Sequence, residues 1–155
     1  MSLSIILTKL SDDLHRMTIV RASGADEAVE LASRSYLLHD LAHYAVESEA
    51  NLADGFYGLL ASGISLARLN DREAPPASPG IMVAETLAAP LQSLFNGRIA
   101  RELYLEHTQT AYPSVVTEEF VDGALERLRR LHGQFRATPY RGSMELSWPP
   151  QRSTL

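Results

Sequence analysis

The segment Tyr36-Leu-Leu-His-Asp-Leu-Ala-His-Tyr-Ala-Val-Glu-Ser-Glu49 contains no helix breaker and is apolar around most of its circumference. A helix with this pattern usually has neighbours on several sides, so we expect it to lie at the centre of the fold. At about 100° per residue, Leu38, Leu41 and Ala45 share one side of the helix. Two histidines, His39 and His43, interrupt the apolar surface.

Short strands are predicted before this helix. Residues 4–10 are apolar with β-branched members, and residues 15–21 alternate between apolar and polar side chains. Turn-forming residues at 11–13 and 23–26 separate the segments. Residues 27–35 alternate again, although their Glu and Ala side chains would also suit a helix. Three short strands joined by two turns predict an antiparallel meander.

Helices are predicted after the central one. We expect helices over 55–69, over 81–95 with a kink or restart at Pro90, and over 98–108, with an exposed loop at 70–80. Thr117 is a suitable cap for a last long helix. The apolar stripe of that helix comprises Val121, Ala124, Leu125, Leu128, Leu131 and Phe135.

A final alternating segment, 142–148, is predicted to be a strand that rejoins the N-terminal sheet. The sequence therefore predicts an α+β fold, in which a short antiparallel sheet made from the meander and the C-terminal strand packs against about five helices. At 155 residues we expect one domain over 1–150 and a disordered tail at 151–155.

Composition excludes several classes of function. The chain has no cysteine, which removes disulfides, thiolate metal sites and cysteine nucleophiles. A net charge of −5 disfavours nucleic-acid binding, which depends on neutralising phosphates. The most apolar stretch, 52–69, is interrupted by glycines and shorter than a membrane span, so we expect no membrane association. With no recognisable leader, a cytoplasmic protein of bacterial type is the expectation.

The pattern that indicates chemistry lies on the central helix. His39 and His43 are four residues apart, which places both imidazoles on one face, as in zinc-binding helices. Glu47 continues the column one turn further. It suits a hydrogen-bond acceptor for a histidine N–H, and it is also the candidate catalytic base acting through a metal-bound water. Asp40 could be a further ligand or could orient His39.

A catalytic zinc site needs three protein ligands, and this helix supplies two good ones. Glu85, His107 and His132 are the candidates for the third. His132 is the most interesting of them, since its phase on the last helix predicts that it faces the core. His15 and His107 are expected at the surface. The cofactor hypothesis is zinc or another divalent metal, and no cofactor otherwise.

The histidines also have a structural interpretation. Histidines at i and i+4 on a buried helix often only hydrogen-bond to neighbouring polar groups. The protein would then be a non-catalytic structural or protein-interaction domain, with a homodimer as one form. A third hypothesis is a small-ligand binder that uses Tyr36, Tyr44 and the histidines. The sequence does not decide whether the protein is an enzyme, and it names no substrate.

The run from Tyr36 to Glu47, directly after a β meander, resembles a small bacterial family with a His-Asp-x-x-His-x-x-x-Glu helix. That resemblance covers about the first seventy residues and implies no known activity. The shorter His-Asp-x-x-His core also resembles the metal-binding signature of the Coq4-type ubiquinone-biosynthesis proteins. Those proteins are mainly helical, and they have a glutamate where this chain has Gly55. The parallel implies metal ligation at His39, Asp40 and His43.

Overall fold

A computed structural model describes residues 2–150 of the chain. This part of the chain forms, in order, β1 (Leu3–Lys9), β2 (Leu14–Arg21), β3 (Glu27–Ala32), α1 (Ser33–Glu49), α2 (Phe56–Ala61), α3 (Leu66–Leu69), α4 (Pro79–Phe95), α5 (Arg101–Ala111), α6 (Glu118–Ala137) and β4 (Ser143–Trp148). The predicted α+β class is confirmed. The tail expected at 151–155 lies outside the described residues.

The four strands form one antiparallel sheet in the order β3-β2-β1-β4. In β1, Leu3 pairs with Arg21 of β2 on one side and with Trp148 of β4 on the other. The predicted meander and the predicted return of the C-terminal strand to it are therefore both confirmed. The edge strand β3 is less buried than the others, with half-buried and exposed residues in alternation.

The core lies between one face of the sheet and the helices. Apart from Lys9 at the end of β1, every second residue of β1, β2 and β4 is buried, as expected for a sheet covered on one face. The helix α1 packs against α4, α6 and the sheet, which confirms its predicted central position. The predicted apolar stripe of α6 is buried throughout, and Thr117 caps that helix through its side chain.

Several boundaries differ from the sequence predictions, among them those of α5, which is predicted over 98–108 and lies at Arg101–Ala111. The strand β3 ends at Ala32 and α1 begins at Ser33, three residues before the expected start at Tyr36. The backbone N–H of Ser33 donates to the Asp13 carbonyl, and this bond closes the sheet where the helix begins. The α4 helix begins at Pro79, with Ser78 as its cap, and it continues through Pro90. The restart expected there is absent from the described helix.

The helix predicted over 55–69 is wrong as a single element, because α2 ends at Ala61 and α3 begins at Leu66. Gly63, with φ of 108°, adopts a left-handed conformation that ends the first helix. Ser65 then caps α3 by accepting a hydrogen bond from the Arg68 N–H. A short connection between two helices therefore replaces the expected continuous helix.

A buried arginine holds this α2–α3 segment against the sheet. Arg21, at the end of β2, donates from its guanidinium to the carbonyls of Leu60 and Ile64, at 2.8 and 2.9 Å. It donates to the Ala25 carbonyl as well, and it forms an ion pair with Glu27 at 2.7 Å. Glu27 in turn accepts from the backbone N–H of Leu66. Strand ends and helix ends are thus joined by one satisfied polar network.

Within residues 2–150, no helix combines the length and the apolar character needed to cross a membrane.

Candidate metal centre

Three side chains that can ligate a metal meet beside α1. His39 and His43 lie one turn apart, with ring centroids 4.6 Å apart and planes at 61°. Glu85, on the neighbouring α4, faces them. One ligand atom from each of the three side chains lies within 4.8 Å of the other two. The i,i+4 spacing and the packing of α4 on α1 together bring this group together.

His43 is the buried member of the group and faces a carboxylate on each side. Its Nδ1 lies 3.0 Å from Glu47 Oε2, and its Nε2 lies 3.3 Å from Glu85 Oε1. Burial alone would lower the pKa of His43, but the two carboxylates outweigh it and raise the pKa to about 9. Despite the proximity of Glu85, Nε2 has no hydrogen-bond partner within the described residues. A buried nitrogen without a hydrogen bond is uncommon and suggests a missing partner.

Glu47 anchors His43 from behind. The Glu47 side chain is fully buried, and its Oε1 accepts the Tyr57 backbone N–H at 3.0 Å while its Oε2 faces His43. A Cβ at Gly55 would lie 2.5 Å from Glu47 Oε1, so glycine is required beside the carboxylate. This placement is that of a hydrogen-bond acceptor which fixes the His43 ring. It also leaves Glu47 behind His43, outside the cavity that His39, His43 and Glu85 line.

His39 is half-buried and is oriented by α4. Gln92 Nε2 lies 3.2 Å from His39 Nδ1. Burial lowers the pKa of His39, and the neighbouring His43 lowers it further. The imidazole is therefore favoured in its neutral form, which is the form that ligates a metal.

Glu85 is the exposed member of the group, with about half of its side chain accessible (52%). The contact with His43 lowers the pKa of Glu85, against a smaller effect of burial. The carboxylate is therefore ionised at neutral pH. Two imidazoles and one carboxylate form a donor set that zinc accepts in catalytic sites.

The structure does not bring the other sequence candidates into this group. His132 on α6 is half-buried and lies with its ring edge against Phe95, at 5.4 Å between centroids. His107 on α5 is exposed, as predicted. Asp40 lines the same cavity as the histidines, but its Oδ2 faces His15 Nε2 at 3.8 Å.

The prediction that His15 lies at the surface is wrong. Its side chain is completely buried on the inner face of β2. Its Nδ1 lies 2.9 Å from Ser33 Oγ, and its ring packs edge-on against Phe135. The alternation of β2 places position 15 on the same face as Met17 and Ile19, so the period of the strand already indicated burial.

A cavity of about 640 Å³ opens beside these three side chains. Both histidines, Glu85 and Asp40 contribute to its lining, as do Arg72 and Asn70. Most of the remaining lining is apolar and comes from the sheet and from the helices α2 to α4: Met17, Val29, Leu31, Phe56, Leu66, Leu69 and Ile81. The volume falls within the range of small-molecule sites in proteins.

Comparisons of the chain with protein families, with curated proteins and with solved structures found no match.

Two residues beside the group were not singled out from the sequence. Gln92 follows Glu85 by seven residues on α4, so two helical turns place both on one face, and this spacing was a usable signal. Arg72 lies in the segment predicted as an exposed loop. Only the three-dimensional path of that loop brings it to the cavity, and we find no local signal that indicates it.

Proposed function

We propose that this protein binds a divalent metal ion through His39, His43 and Glu85, and that the ion is zinc or a metal of similar preference. The observation that carries the proposal is His43 Nε2, a buried nitrogen without a hydrogen bond that points toward a carboxylate beside a second imidazole. A cation between these atoms would satisfy all three groups. The donor types, two nitrogens and one carboxylate oxygen, favour zinc over calcium or magnesium.

The arrangement behind His43 supports this proposal. A metal-ligating histidine usually donates its other ring N–H to a carboxylate, which fixes the tautomer and makes the ring a better ligand. Glu47 is placed to accept such a bond from Nδ1, and its own second oxygen is already satisfied by Tyr57 N–H. His43 would then present Nε2 to the ion.

The function we infer for the loaded site is metal-dependent hydrolysis. Three protein ligands leave a coordination position open, and here the ligands face a cavity large enough for a small molecule. A divalent cation in such a site supplies a nucleophile at neutral pH by lowering the pKa of a bound water. Besides Glu85, Asp40 is the carboxylate that lines the same cavity and would accept a proton there, because Glu47 lies behind His43.

A second candidate function is favoured by the two carboxylates on His43. An imidazolium that bridges Glu47 and Glu85 would be a purely structural ion pair, in a protein whose role is not catalytic. In that case the charge of His43 holds α1 and α4 together. This alternative predicts that the metal-free protein is already fully stable and that zinc adds nothing.

Metal content separates the two candidates. The protein is purified without a histidine tag, stripped with a chelator, dialysed against limiting zinc and analysed by elemental mass spectrometry. We expect about one zinc per wild-type chain, and an affinity lowered by at least about tenfold in Glu85→Gln, which removes one ligand. Glu106→Gln is the matched control, because Glu106 is an exposed helical glutamate outside the group.

Equal, near-zero zinc in the wild type and in Glu85→Gln would overturn the metal proposal. Thermal unfolding with and without zinc is the second readout, since a ligand that binds only the folded state raises its stability. A rise in Tm on adding zinc, present in the wild type and in Glu106→Gln but lost in Glu85→Gln, supports metal binding. No rise in any of them supports the structural ion pair.

A further inference from the structure

The cavity beside the proposed metal ligands is lined by two kinds of side chain. Apolar side chains come from β2 and β3, including Met17 and Val29, and from α2 and α3, including Phe56 and Leu69. Polar side chains come from α1 and α4, which carry the histidines and the carboxylates, and from Arg72 in the loop before α4. A ligand that fills such a space needs both a polar group and an apolar body, since burying a polar group against apolar side chains without a partner is costly.

Arg72 defines the charge of the polar end. It forms no ion pair with any residue in the part of the chain that the structure describes. Arg72 lines the same cavity as His39, His43 and Glu85, so its positive charge lies beside the space that a ligand would occupy. An arginine side chain is a planar fork that binds carboxylate or phosphate through two parallel hydrogen bonds.

The charges of the lining support the same conclusion. With the histidines counted as neutral, the lining has two carboxylates, Asp40 and Glu85, and one cation, Arg72. These three charges add up to −1, and a divalent ion brings the formal sum to +1. A bound metal ion therefore makes the cavity more favourable for an anion.

We propose that the ligand is a small amphipathic anion whose carboxylate or phosphate group lies between the metal position and Arg72 and whose apolar body fills the cavity toward β2 and β3. This inference rests on the proposed metal site. It names the class of substrate or ligand, an anionic oxygen group on an apolar body, which the metal proposal alone leaves open.

Calorimetric titration of the zinc-loaded protein tests the proposal, with acetate, butyrate, octanoate, octyl phosphate and octanol as probes. We expect affinity to rise about fourfold for each methylene that the cavity buries, so octanoate, with four more methylenes, should bind about 250-fold more tightly than butyrate if all four are buried. Octanol, which lacks the anionic group, should bind at least about tenfold more weakly than octanoate. The tighter of octanoate and octyl phosphate identifies the headgroup.

Arg72→Gln is the decisive variant, because Arg72 is exposed and its replacement should leave the fold intact. We expect it to weaken octanoate binding about tenfold while zinc stoichiometry stays the same. Arg129→Gln, at an exposed arginine on α6 outside the cavity, is the matched control and should bind like the wild type.

The outcomes of the two proposals are distinguishable because zinc content is measured first. No zinc in the wild type overturns the metal proposal, and this inference falls with it. One zinc per chain with octanoate binding no tighter than acetate, or with Arg72→Gln binding octanoate as well as Arg129→Gln does, overturns the inference alone. Affinity that rises with chain length in the wild type and in Arg129→Gln, and octanoate affinity that falls about tenfold in Arg72→Gln, support it.

Discussion

Replacing Glu47 by glutamine should change the charge of His43 without changing the shape of the core. Glutamine has the size of glutamate, and its carbonyl oxygen can still accept the Tyr57 N–H that Glu47 Oε1 now accepts. Its amide N–H₂ would face His43 Nδ1, so the ring becomes an acceptor there and carries its proton on Nε2. In metal-free protein the imidazolium should therefore be lost.

The size of the effect follows from the pKa of His43. A rise from 6.5 to about 9 corresponds to about 3 kcal/mol in favour of the folded state. Glu85 supplies part of this, but it is half exposed and its contribution is screened. We therefore expect Glu47→Gln to cost about 2 kcal/mol at pH 6. For a chain of 155 residues this is a fall in Tm of about 4–8 °C.

The pH dependence has a defined sign. Because the folded-state pKa of His43 is raised, the stabilisation is fully present below pH 6.5 and is lost as the pH rises through about 9. The difference in Tm between the wild type and Glu47→Gln, measured by circular dichroism with chelator present, should therefore shrink between pH 6 and pH 9.5. The wild type should lose stability over this range, and the variant should lose less.

Glu49→Gln is the control on the same helix. Glu49 pairs with Arg127 at 3.2 Å in a partly exposed position, and such a pair contributes below about 1 kcal/mol. The reasoning is refuted if Glu47→Gln is no more destabilised than Glu49→Gln at pH 6. It is equally refuted if the difference from the wild type is the same at pH 6 and pH 9.5.

Three further predictions concern the core and the site. Gly55→Ala should lower the free energy of unfolding, measured in urea, by about 1–3 kcal/mol, because the new Cβ would lie 2.5 Å from Glu47 Oε1. The control Gly133→Ala has no atom within 4 Å of its Cβ and should raise the free energy of unfolding by up to about 1 kcal/mol. The opposite order would contradict the close approach at Gly55. Burial raises the pKa of Tyr57 and of Tyr104, so the stability that these neutral rings provide is complete below pH 10 and is lost above it. In an alkaline titration, the absorbance of tyrosinate should show these two rings ionising only when the protein unfolds. Smooth titration of every tyrosine in folded protein would contradict this prediction. Leu128→Ala should lower the free energy of unfolding, measured in a guanidinium titration, by about 2–5 kcal/mol, because the Leu128 side chain on α6 is completely buried in the core. A loss below about 1 kcal/mol would mean that α6 packs more loosely than described.

The periodicity of apolar residues was sufficient to predict the α+β class. Alternation identified β2 and β4, an apolar run with β-branched residues identified β1, and the predicted apolar stripe of α6 is buried in full. Helix ends were harder to predict, because they depend on single residues such as Gly63, whose left-handed conformation ends α2. His15 shows the same difficulty: its chemical type suggested the surface, while its phase in β2 placed it inside.

The sequence predicts two members of the candidate site and leaves the third open. The spacing of His39 and His43 fixed their shared face, because it depends on one helix alone. Glu85 could be named as one of three possible partners, and only the packing of α4 against α1 distinguishes it from His107 and His132. Contacts between distant segments depend on the assembled core, which local patterns do not describe.

The guanidinium of Arg21 has a consequence for any ligand that enters the cavity. Arg21 binds the backbone around α2, and its partner Glu27 binds the Leu66 N–H, so the two side chains fix the position of a cavity wall that neither of them lines. Lysine, with one compact ammonium group, could not reach the same carbonyls at once. Substitutions at the end of β2 should therefore change the selectivity for the length of an apolar ligand. They would act by displacing Leu66 and its neighbours, without contacting the ligand.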